Sequence, residues 1–298
     1  MQVPDPQVVS RESRRPRRLR RAVAAAGLMA LGAIAGLGQT AQAATVPTPA
    51  HVVVVVFENH AYSQVIGSSS APYINSLANN GAKFTKFYAE THPSQPNYFA
   101  MFSGGTQGVT NDSCVTPGSK SAANLGAEVI AAGRTWGSYN EGLPSQGSTV
   151  CTSSSGKYAQ KHNPWFAFSN VPASTGYTMS QFPTNYANLP TVSFVVPNLC
   201  NDMHDCSVGT GDTWLKNNLS AYATWAKSNN SLLVVTFDED NSLSGNKIAT
   251  VFYGASVKTG AYSTQYNHYN LLRTIEDMYG TTHAGNAASA SPITEAWQ

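Results

Sequence analysis

The stretch His51-Val-Val-Val-Val-Val-Phe57 decides the fold class. A run of β-branched residues without polar alternation predicts a strand that is buried on both faces, as in a parallel sheet covered by helices. Farther along the chain, similar short apolar runs alternate with helical patterns. The sequence therefore predicts an α/β fold, a three-layer arrangement in which helices flank a mainly parallel central sheet, with the 51–57 strand at its centre.

Apolar spacing and turn residues predict the other elements. Further strands are expected at 84–89, 135–139, 191–196, 231–237 and 248–253. Helices are expected at 72–80 and 122–132, at a start provided by Pro96, after a cap at Asp212, and from His268 onward. Between 140 and 190 the composition shifts to Ser, Thr, Asn, Gly, Pro and scattered aromatics, which predicts a loop-rich cap region.

The N-terminus has the features of an export signal. Seven arginines lie between Arg11 and Arg21, an apolar stretch covers 22–38, and Ala41-Gln42-Ala43 is a small-residue cleavage site. This pattern predicts a signal peptide over 1–43, a secreted product and a single domain over 44–298. An uncleaved anchor is the alternative, but the apolar run is short for a spanning helix, so we expect no transmembrane anchor in the mature protein. Either the general or the twin-arginine export route fits.

The basic balance of the whole chain comes from that same segment. Removing it takes away seven of the 18 basic and two of the 16 acidic residues, and leaves a net charge of −3. A weakly acidic surface offers no electrostatic footprint for a polyanion, so no nucleic-acid partner is expected. The sequence does not indicate an oligomeric state.

Four cysteines follow the cleavage site: Cys114, Cys151, Cys200 and Cys206. An even count in an exported chain predicts two disulfides, and proximity in sequence favours Cys114 with Cys151 and Cys200 with Cys206. Three pairings remain open on the count alone. Zinc binding by these cysteines is not favoured, because the chain lacks a Cys-x-x-Cys pair.

Polar residues follow four of the predicted strands, at the edge where open α/β sheets bind their ligands. The segments are Glu58-Asn59-His60, Glu90 to Asn97, Pro197 to Asp205, and Asp238 to Asn241. Each segment alone is typical of a turn or a helix cap. Their coincidence at successive strand ends predicts a functional site.

The residue types at these ends indicate metal-assisted chemistry on an anion. Glu58, Asn59, Asp238 and Glu239 offer only oxygen donors, which favour Ca²⁺ or Mg²⁺ over zinc. Ser94 lies just before the helix expected at Pro96, where free N–H groups attract an anion, and a cation sharing that spot would activate its oxygen as a nucleophile. His92, His204 and His268 could bind phosphoryl oxygens or transfer a proton.

Five segments together resemble the secreted bacterial phosphoesterase family, which contains acid phosphatases and phosphocholine-type phospholipases C. They are Phe57-Glu58-Asn59-His60, Pro93 to Tyr98, Pro197 to Asp205, Phe237-Asp238-Glu239, and His268 to Asp277. The chain is most similar to the short secreted acid phosphatases that include phosphatidylinositol-3-phosphatases. The resemblance covers His51 to Gly280 and implies a fold like that of the alkaline phosphatase superfamily.

Carried over by position, the resemblance implies a set of metal ligands formed by Glu58, Asn59, Ser94, Asp238 and Glu239. It implies that Ser94 is the nucleophile that becomes phosphorylated. His92, His204 and His268 would be the phosphate-binding or proton-transfer residues, and Asn97, His92 and Asp205 would contribute to substrate binding.

Two departures from the wider superfamily qualify that carry-over. A second zinc would need an Asp and two His, which only Asp202 or Asp205 with His204 and His268 could approximate. The C-terminal extension of the longer phospholipases is missing.

Three functions remain open from the sequence. The preferred one is a secreted, metal-dependent phosphomonoesterase that acts on a small phosphate ester or a lipid headgroup. A phosphodiesterase of phospholipase C type is the alternative. The third is an extracellular protein whose loop aromatics bind a carbohydrate or cell-wall ligand.

Overall fold

A computed structural model of the chain describes residues 45–298, so the predicted signal peptide over 1–43 lies outside the described residues. Nine strands of the described part form one sheet in the order β4-β3-β5-β1-β6-β7-β2-β8, with β9 also pairing with β2. The strands are β1 His51–Phe57, β2 Ala82–Tyr88, β3 Trp136–Asn140, β4 Gly176–Thr178, β5 Val192–Val196, β6 Ser231–Phe237, β7 Lys247–Gly254, β8 Gly260–Tyr262 and β9 Tyr266–Asn267.

Strand β1 lies inside the sheet, as its apolar run predicts. It pairs in parallel with β5 on one side and β6 on the other, and Val52 through Phe57 are fully buried. Only β7 is reversed, since it runs antiparallel to both β6 and β2. Because β2 is antiparallel to β7, it runs in the same direction as β1. The carboxyl ends of β1, β2, β5 and β6 therefore lie at one edge of the sheet.

Within residues 45–298, six α-helices accompany the sheet: α1 Tyr62–Val65, α2 Pro72–Asn80, α3 Ser94–Ser103, α4 Leu125–Ala131, α5 Val208–Ala226 and α6 His268–Tyr279. Helix α2 packs against α5, and α3 and α4 pack against α6. The predicted α/β class with flanking helices is confirmed. None of the helices within 45–298 has the length and apolar character needed to cross a membrane.

The predicted cap at Asp212 is wrong, and the reason lies in a tertiary contact. Helix α5 begins one turn earlier, where the Ser207 side chain accepts a hydrogen bond from Thr210 N. Asp212 sits inside α5 and is 2% exposed. Its carboxylate accepts from the backbone N–H groups of Tyr73 (3.0 Å) and Ile74 (2.7 Å) at the start of α2. Asp212 therefore caps a different helix, one whose own cap position is held by an alanine.

The segment 140–190 contains strand β4 and five short 3₁₀ turns, at 160–162, 164–167, 173–175, 179–181 and 186–188. Several of its aromatic side chains are packed inward. Trp165 and Phe168 contact Phe102, and Trp165 also contacts Trp136 and Phe194. These rings are core residues beneath the loops, and they do not form an exposed platform for a sugar.

Both predicted disulfides are present: Cys114 pairs with Cys151 and Cys200 pairs with Cys206. The described part of the chain has no free cysteine. The Cys200–Cys206 bond closes a short loop after β5, whereas the Cys114–Cys151 bond joins the segment after α3 to the segment after β3.

Two buried carboxyl groups face each other between α4 and α6. Glu128 is 7% exposed and Glu276 is fully buried, and each has one oxygen without a hydrogen-bond partner. Burial raises the pKa of Glu276 to about 8, and the adjacent Glu128 contributes to the rise. We therefore expect the two groups to share one proton near neutral pH.

Replacing Asp212 with alanine should destabilise the protein without moving α5. Two N–H groups at the start of α2 would lose a charged acceptor, which is expected to cost about 2–3 kcal/mol of unfolding free energy. Denaturant titration measures the loss. Ser207→Ala, which removes the cap of α5 itself, is the comparison and should cost about 1 kcal/mol. An Asp212→Ala protein as stable as Ser207→Ala would contradict the assignment.

The shared proton predicts a pH dependence of stability. The folded state holds this proton more tightly than the unfolded chain, whose ordinary pKa is 4.5, so its stabilisation is complete below pH 4.5 and is lost as pH rises to about 8. The slope in that window is at most about 1.4 kcal/mol per pH unit. Glu276→Gln keeps an oxygen for Ala284 N and gives Glu128 a permanent donor.

Glu276→Gln and, separately, Glu128→Gln should both flatten the stability profile between pH 5 and 8, measured by thermal unfolding at each pH. If both variants keep the slope of the unaltered protein, the two carboxyl groups do not share a proton.

Candidate active site

The carboxyl ends of β1 and β6 and the first residue of α3 bring together five oxygen-bearing side chains. The Ser94 Oγ lies 3.1 Å from Glu58 Oε2, 3.2 Å from Asn59 Oδ1 and 3.1 Å from Glu239 Oε1. Asp238 joins the group, because its Oδ1 accepts from Asn59 N at 3.1 Å. The five residues that the sequence indicates as a ligand set are therefore adjacent in space.

Backbone conformation at the end of β1 helps to place the first two of them. Asn59 has a φ of 54°, in the left-handed region that asparagine tolerates better than most residues. This turn lets Glu58 and Asn59 both point toward Ser94, whereas successive residues of a regular strand would point to opposite faces.

Hydrogen bonding alone cannot satisfy this group. The Ser94 hydroxyl has one hydrogen but three acceptor oxygens around it, and Asp238 Oδ2 is buried without any partner. Burial raises the pKa of Asp238 to about 8 and that of Glu239 to about 7, and it raises the pKa of Glu58 well above its usual range. Acceptors that crowd a buried space without donors fit a bound cation.

Helix α3 begins at Ser94, two residues before the start expected at Pro96. Proline is tolerated there because the N–H groups of a first turn have no helical partner. The expectation that these groups are free for an anion needs correction. Gln95 N donates to Asp112 Oδ1 at 2.9 Å, so a carboxylate of the protein already lies at that N–H group.

Two of the three predicted histidines lie at the rim of the site. His92 places Nδ1 2.6 Å from Glu239 Oε2 and is about one-third exposed. His204 places Nδ1 2.7 Å from Asp205 Oδ1, and its Nε2 lies 3.2 Å from Lys161 Nζ. The predicted substrate residue Asp205 is mostly exposed and contacts His204.

The third histidine, His268, is fully buried at the start of α6. Its Nε2 lies 2.7 Å from the backbone oxygen of Asp238, which it can reach only as a donor. Burial lowers the pKa of His268 to about 4, so the ring is neutral. The geometry places His268 against the backbone of the candidate ligand Asp238.

Asn97 also supports the site from behind. Its Oδ1 accepts from Glu90 N and Thr91 N at 3.0 Å each, and its Nδ2 donates to Thr91 O at 2.9 Å. A weaker contact of 3.4 Å reaches Glu239 Oε2. The amide thus fixes the loop that joins β2 to α3.

No sequence pattern indicates His162, which is buried beside Glu58. Its Nε2 lies 3.2 Å from Glu58 Oε1 and its Nδ1 lies 3.2 Å from Asp202 Oδ2. The Tyr98 ring stacks on His162, and its hydroxyl donates to Glu58 Oε1. His162 comes from the 140–190 segment, which has no periodicity from which its position could be predicted. Tyr98 lies in the motif Pro93 to Tyr98, but the motif does not indicate a role for it.

A second donor set overlaps the oxygen set. Ligand atoms of Glu58, His162 and His204 lie within 4.8 Å of one another, which makes these residues a candidate metal site. Both ring nitrogens of His204 have other partners, however: Asp205 at Nδ1 and the Lys161 ammonium at Nε2. A metal at this set would have to displace one of them.

The fold matches that of a solved protein in the alkaline phosphatase superfamily from Vibrio parahaemolyticus. The TM-score is 0.58 at 12% sequence identity, and the match covers 84% of this chain and 72% of the other. At this identity the likeness shows the fold alone.

Sequence comparison supplies closer relatives. A phosphatidylinositol-3-phosphatase from Mycobacterium tuberculosis is 54% identical over 257 residues, which cover 86% of this chain and 85% of that protein. An acid phosphatase from Aspergillus fumigatus is 32% identical over 240 residues, 74% of this chain but only about half (53%) of the fungal protein. The Phosphoesterase family model matches residues 68–282. The chain therefore belongs to the phosphoesterase family and is an enzyme that acts on phosphoric ester bonds.

Proposed function

We propose that the chain is a metal-dependent phosphoric monoester hydrolase in which Ser94 is the nucleophile. The observation that carries the proposal is the position of Ser94 Oγ, 3.1–3.2 Å from the oxygens of Glu58, Asn59 and Glu239. A hydroxyl in that position loses its proton readily once a divalent cation shares the site.

The donor set fits a hard divalent cation. Glu58, Asn59, Ser94, Asp238 and Glu239 would hold it, and their oxygen donors favour Ca²⁺ or Mg²⁺ over zinc. When bound, the cation would supply positive charge to the attacking oxygen and to the phosphoryl group. Zinc would fit the overlapping set of Glu58, His162 and His204. It is the weaker candidate, because both ring nitrogens of His204 already have partners.

The protein's own residues have separate roles in the proposed reaction. Ser94 Oγ forms a bond to phosphorus as the bond to the leaving alcohol breaks, and water later hydrolyses the phosphoserine. His204, partly exposed at the rim, is the group proposed to exchange a proton with the leaving alcohol and with that water, once its Nε2 leaves the Lys161 ammonium that it contacts at 3.2 Å. His92 orients Glu239 through the 2.6 Å contact between its Nδ1 and Glu239 Oε2. Its ring is about one-third exposed and could meet the substrate.

Two of the expected site residues act as positioning residues in this proposal. His268 holds the backbone at Asp238, and Asn97 holds the loop that carries His92. Both side chains are fully buried, and their hydrogen bonds run mainly to backbone groups, although His268 Nδ1 has no hydrogen-bond partner.

The substrate class and the location follow from the relatives and the N-terminus. The names of the relatives support a monoester substrate, an acidic working pH, and a phosphoinositide headgroup as the natural ester. The 1–43 segment and the two disulfides support export. Parallel assays on p-nitrophenyl phosphate, bis-p-nitrophenyl phosphate and vesicles with phosphatidylinositol 3-phosphate test the class. Faster hydrolysis of the diester would replace the proposal by a phospholipase C-type activity.

Ser94→Ala should lower kcat by about 10³-fold or more, because it removes the oxygen proposed to attack phosphorus. Ser103→Ala is the matched control, since Ser103 is a buried serine of the same helix whose hydroxyl donates to Phe99 O. Acid quenching during turnover and peptide mass mapping should find phosphate on Ser94. Retention of a tenth of kcat by Ser94→Ala would mean that water attacks directly.

Asp238→Asn should weaken binding of the activating cation by more than about 100-fold, since loss of even an outer hydrogen-bond partner of a ligand costs about 10–100-fold. Calorimetric titration with Mg²⁺, Ca²⁺ and Zn²⁺ measures the affinity, and chelator treatment should abolish turnover of the unaltered enzyme.

Asp240→Asn is the control for that experiment. Asp240 is a buried carboxylate of the same loop, but its oxygens accept from the N–H groups of Ser242, Ser244 and Asn246. It should keep its cation affinity. Unchanged cation binding and turnover in Asp238→Asn would rule out the oxygen set.

A further inference from the structure

Lys161 places a positive charge beside the candidate active site, and no step described above uses it. It belongs to the short 3₁₀ turn Gln160–His162, and its side chain is 19% exposed. Its Nζ lies 3.0 Å from Asp112 Oδ2 and 3.2 Å from His204 Nε2. An ammonium group has three hydrogens, so these two contacts leave one donor for a ligand.

The partner that holds Lys161 is itself anchored to the start of α3. Asp112 Oδ1 accepts from Gln95 N, next to Ser94. The Gln95 side chain, 1% exposed, donates from Nε2 to both Asn111 O and Ser113 O at 2.8 Å each. The backbone is thus fixed on both sides of Asp112, and Lys161 is tied to the residue that follows the proposed nucleophile.

The charge of Lys161 reaches the ligand set. It lowers the pKa values of Glu58 and Glu239, although burial dominates both and raises them. The pKa of Lys161 itself is raised: burial opposes the charged form, but the hydrogen bond and charge of Asp112 outweigh it. The lysine is therefore an ammonium ion at every pH where a phosphatase works.

The net charge of the cation-loaded site indicates what this ammonium group could do. Three ionised carboxylates at Glu58, Asp238 and Glu239 exceed the charge of one divalent cation, so the loaded site would still carry about one negative charge. A phosphate monoester is a dianion near neutral pH, and it needs a further positive donor to bind there.

An opening leads to Lys161 from solvent. A pocket of about 330 Å³ is lined by Asp112, Cys114, Cys151, Lys161, Leu199 and His204, among others. Its wall includes the Cys114–Cys151 disulfide, and Lys161 and His204 share it. A substrate entering by this pocket would meet both side chains.

From this arrangement we propose that Lys161 is a catalytic residue, whose free N–H donor binds a phosphoryl oxygen of the substrate, with Asp112 as its positioning residue. The proposal rests on the proposed phosphatase function. It assigns to Lys161 the stabilisation of phosphoryl charge beside the oxygen set.

Lys161→Gln tests the proposal by two readouts, inhibition or binding by inorganic phosphate and turnover of p-nitrophenyl phosphate. Removing one charged donor to a transition state costs about 10²–10³-fold in rate, so kcat/KM should fall by about that factor, and phosphate affinity should fall about 10-fold or more. Lys161→Arg should restore part of both losses. Circular dichroism should match that of the unaltered enzyme.

Lys157→Gln is the matched control, because Lys157 is an exposed lysine of the same loop, and the change removes an equal charge. It should leave both readouts unchanged. If Lys161→Gln does not fold, the double variant Lys161→Gln/Asp112→Asn replaces the ion pair by a neutral amide pair, and the same losses are expected.

The outcomes separate this proposal from the function it rests on. Phosphate affinity and kcat/KM of folded Lys161→Gln within threefold of the unaltered enzyme overturn the role of Lys161 while the phosphatase stands. If the unaltered protein binds phosphate through Lys161 but hydrolyses no monoester, the phosphatase proposal fails and the anion-binding role of Lys161 survives. Failure of the unaltered protein both to bind phosphate and to hydrolyse a monoester overturns both.

Discussion

Crowding of acceptor oxygens around one hydroxyl is the constraint on which the candidate site depends. Ser94 Oγ can donate once, yet it faces Glu58, Asn59 and Glu239, and Asp238 Oδ2 nearby has no donor. Buried carboxylates without donors are costly, and the raised pKa values of these acids express that cost. A fold that keeps such a group together must hold each member in place from outside the group.

Buried polar side chains that hydrogen-bond to backbone groups hold the members of the site in place. His268 fixes the carbonyl of Asp238, Asn97 fixes the loop before α3, and Gln95 fixes the loop that carries Asp112. All three are buried, so their hydrogen bonds are made in a medium where leaving them unmade is expensive. The site is therefore rigid because its supports have no alternative partners in water.

Much of the fold and of the candidate site could be predicted from the sequence, because it depends on local patterns. The run at 51–57 predicts a strand buried on both faces, and parallel strands necessarily bring their carboxyl ends to one edge, which is why Glu58 and Asp238 could be paired without a structure. What the pattern could not supply is the direction of a buried side chain. Asn97 and His268 have the residue types of a substrate site, yet their polar atoms turn toward backbone groups.

The same limit explains the residues that were missed. His162 and Lys161 come from an aperiodic segment, and only the tertiary fold brings them beside Glu58 and Asp112. Asp212 was misassigned for a related reason, since a carboxylate near a helix start looks like that helix's cap, whichever helix its oxygens reach.

The reversed strand β7 has a consequence for how this enzyme could vary. Because β7 turns back beside β6, the connection between them is a compact loop that begins with the proposed ligands Asp238 and Glu239. Asp240 closes this loop on itself through three backbone N–H groups, and Leu243 at its tip is 85% exposed. The same loop also touches the segment that carries His92, because Ser242 Oγ lies 3.4 Å from His92 Nδ1 and Asn246 Nδ2 donates to Thr91 O. New length or chemistry at the tip would therefore reach the rim of the candidate site through His92.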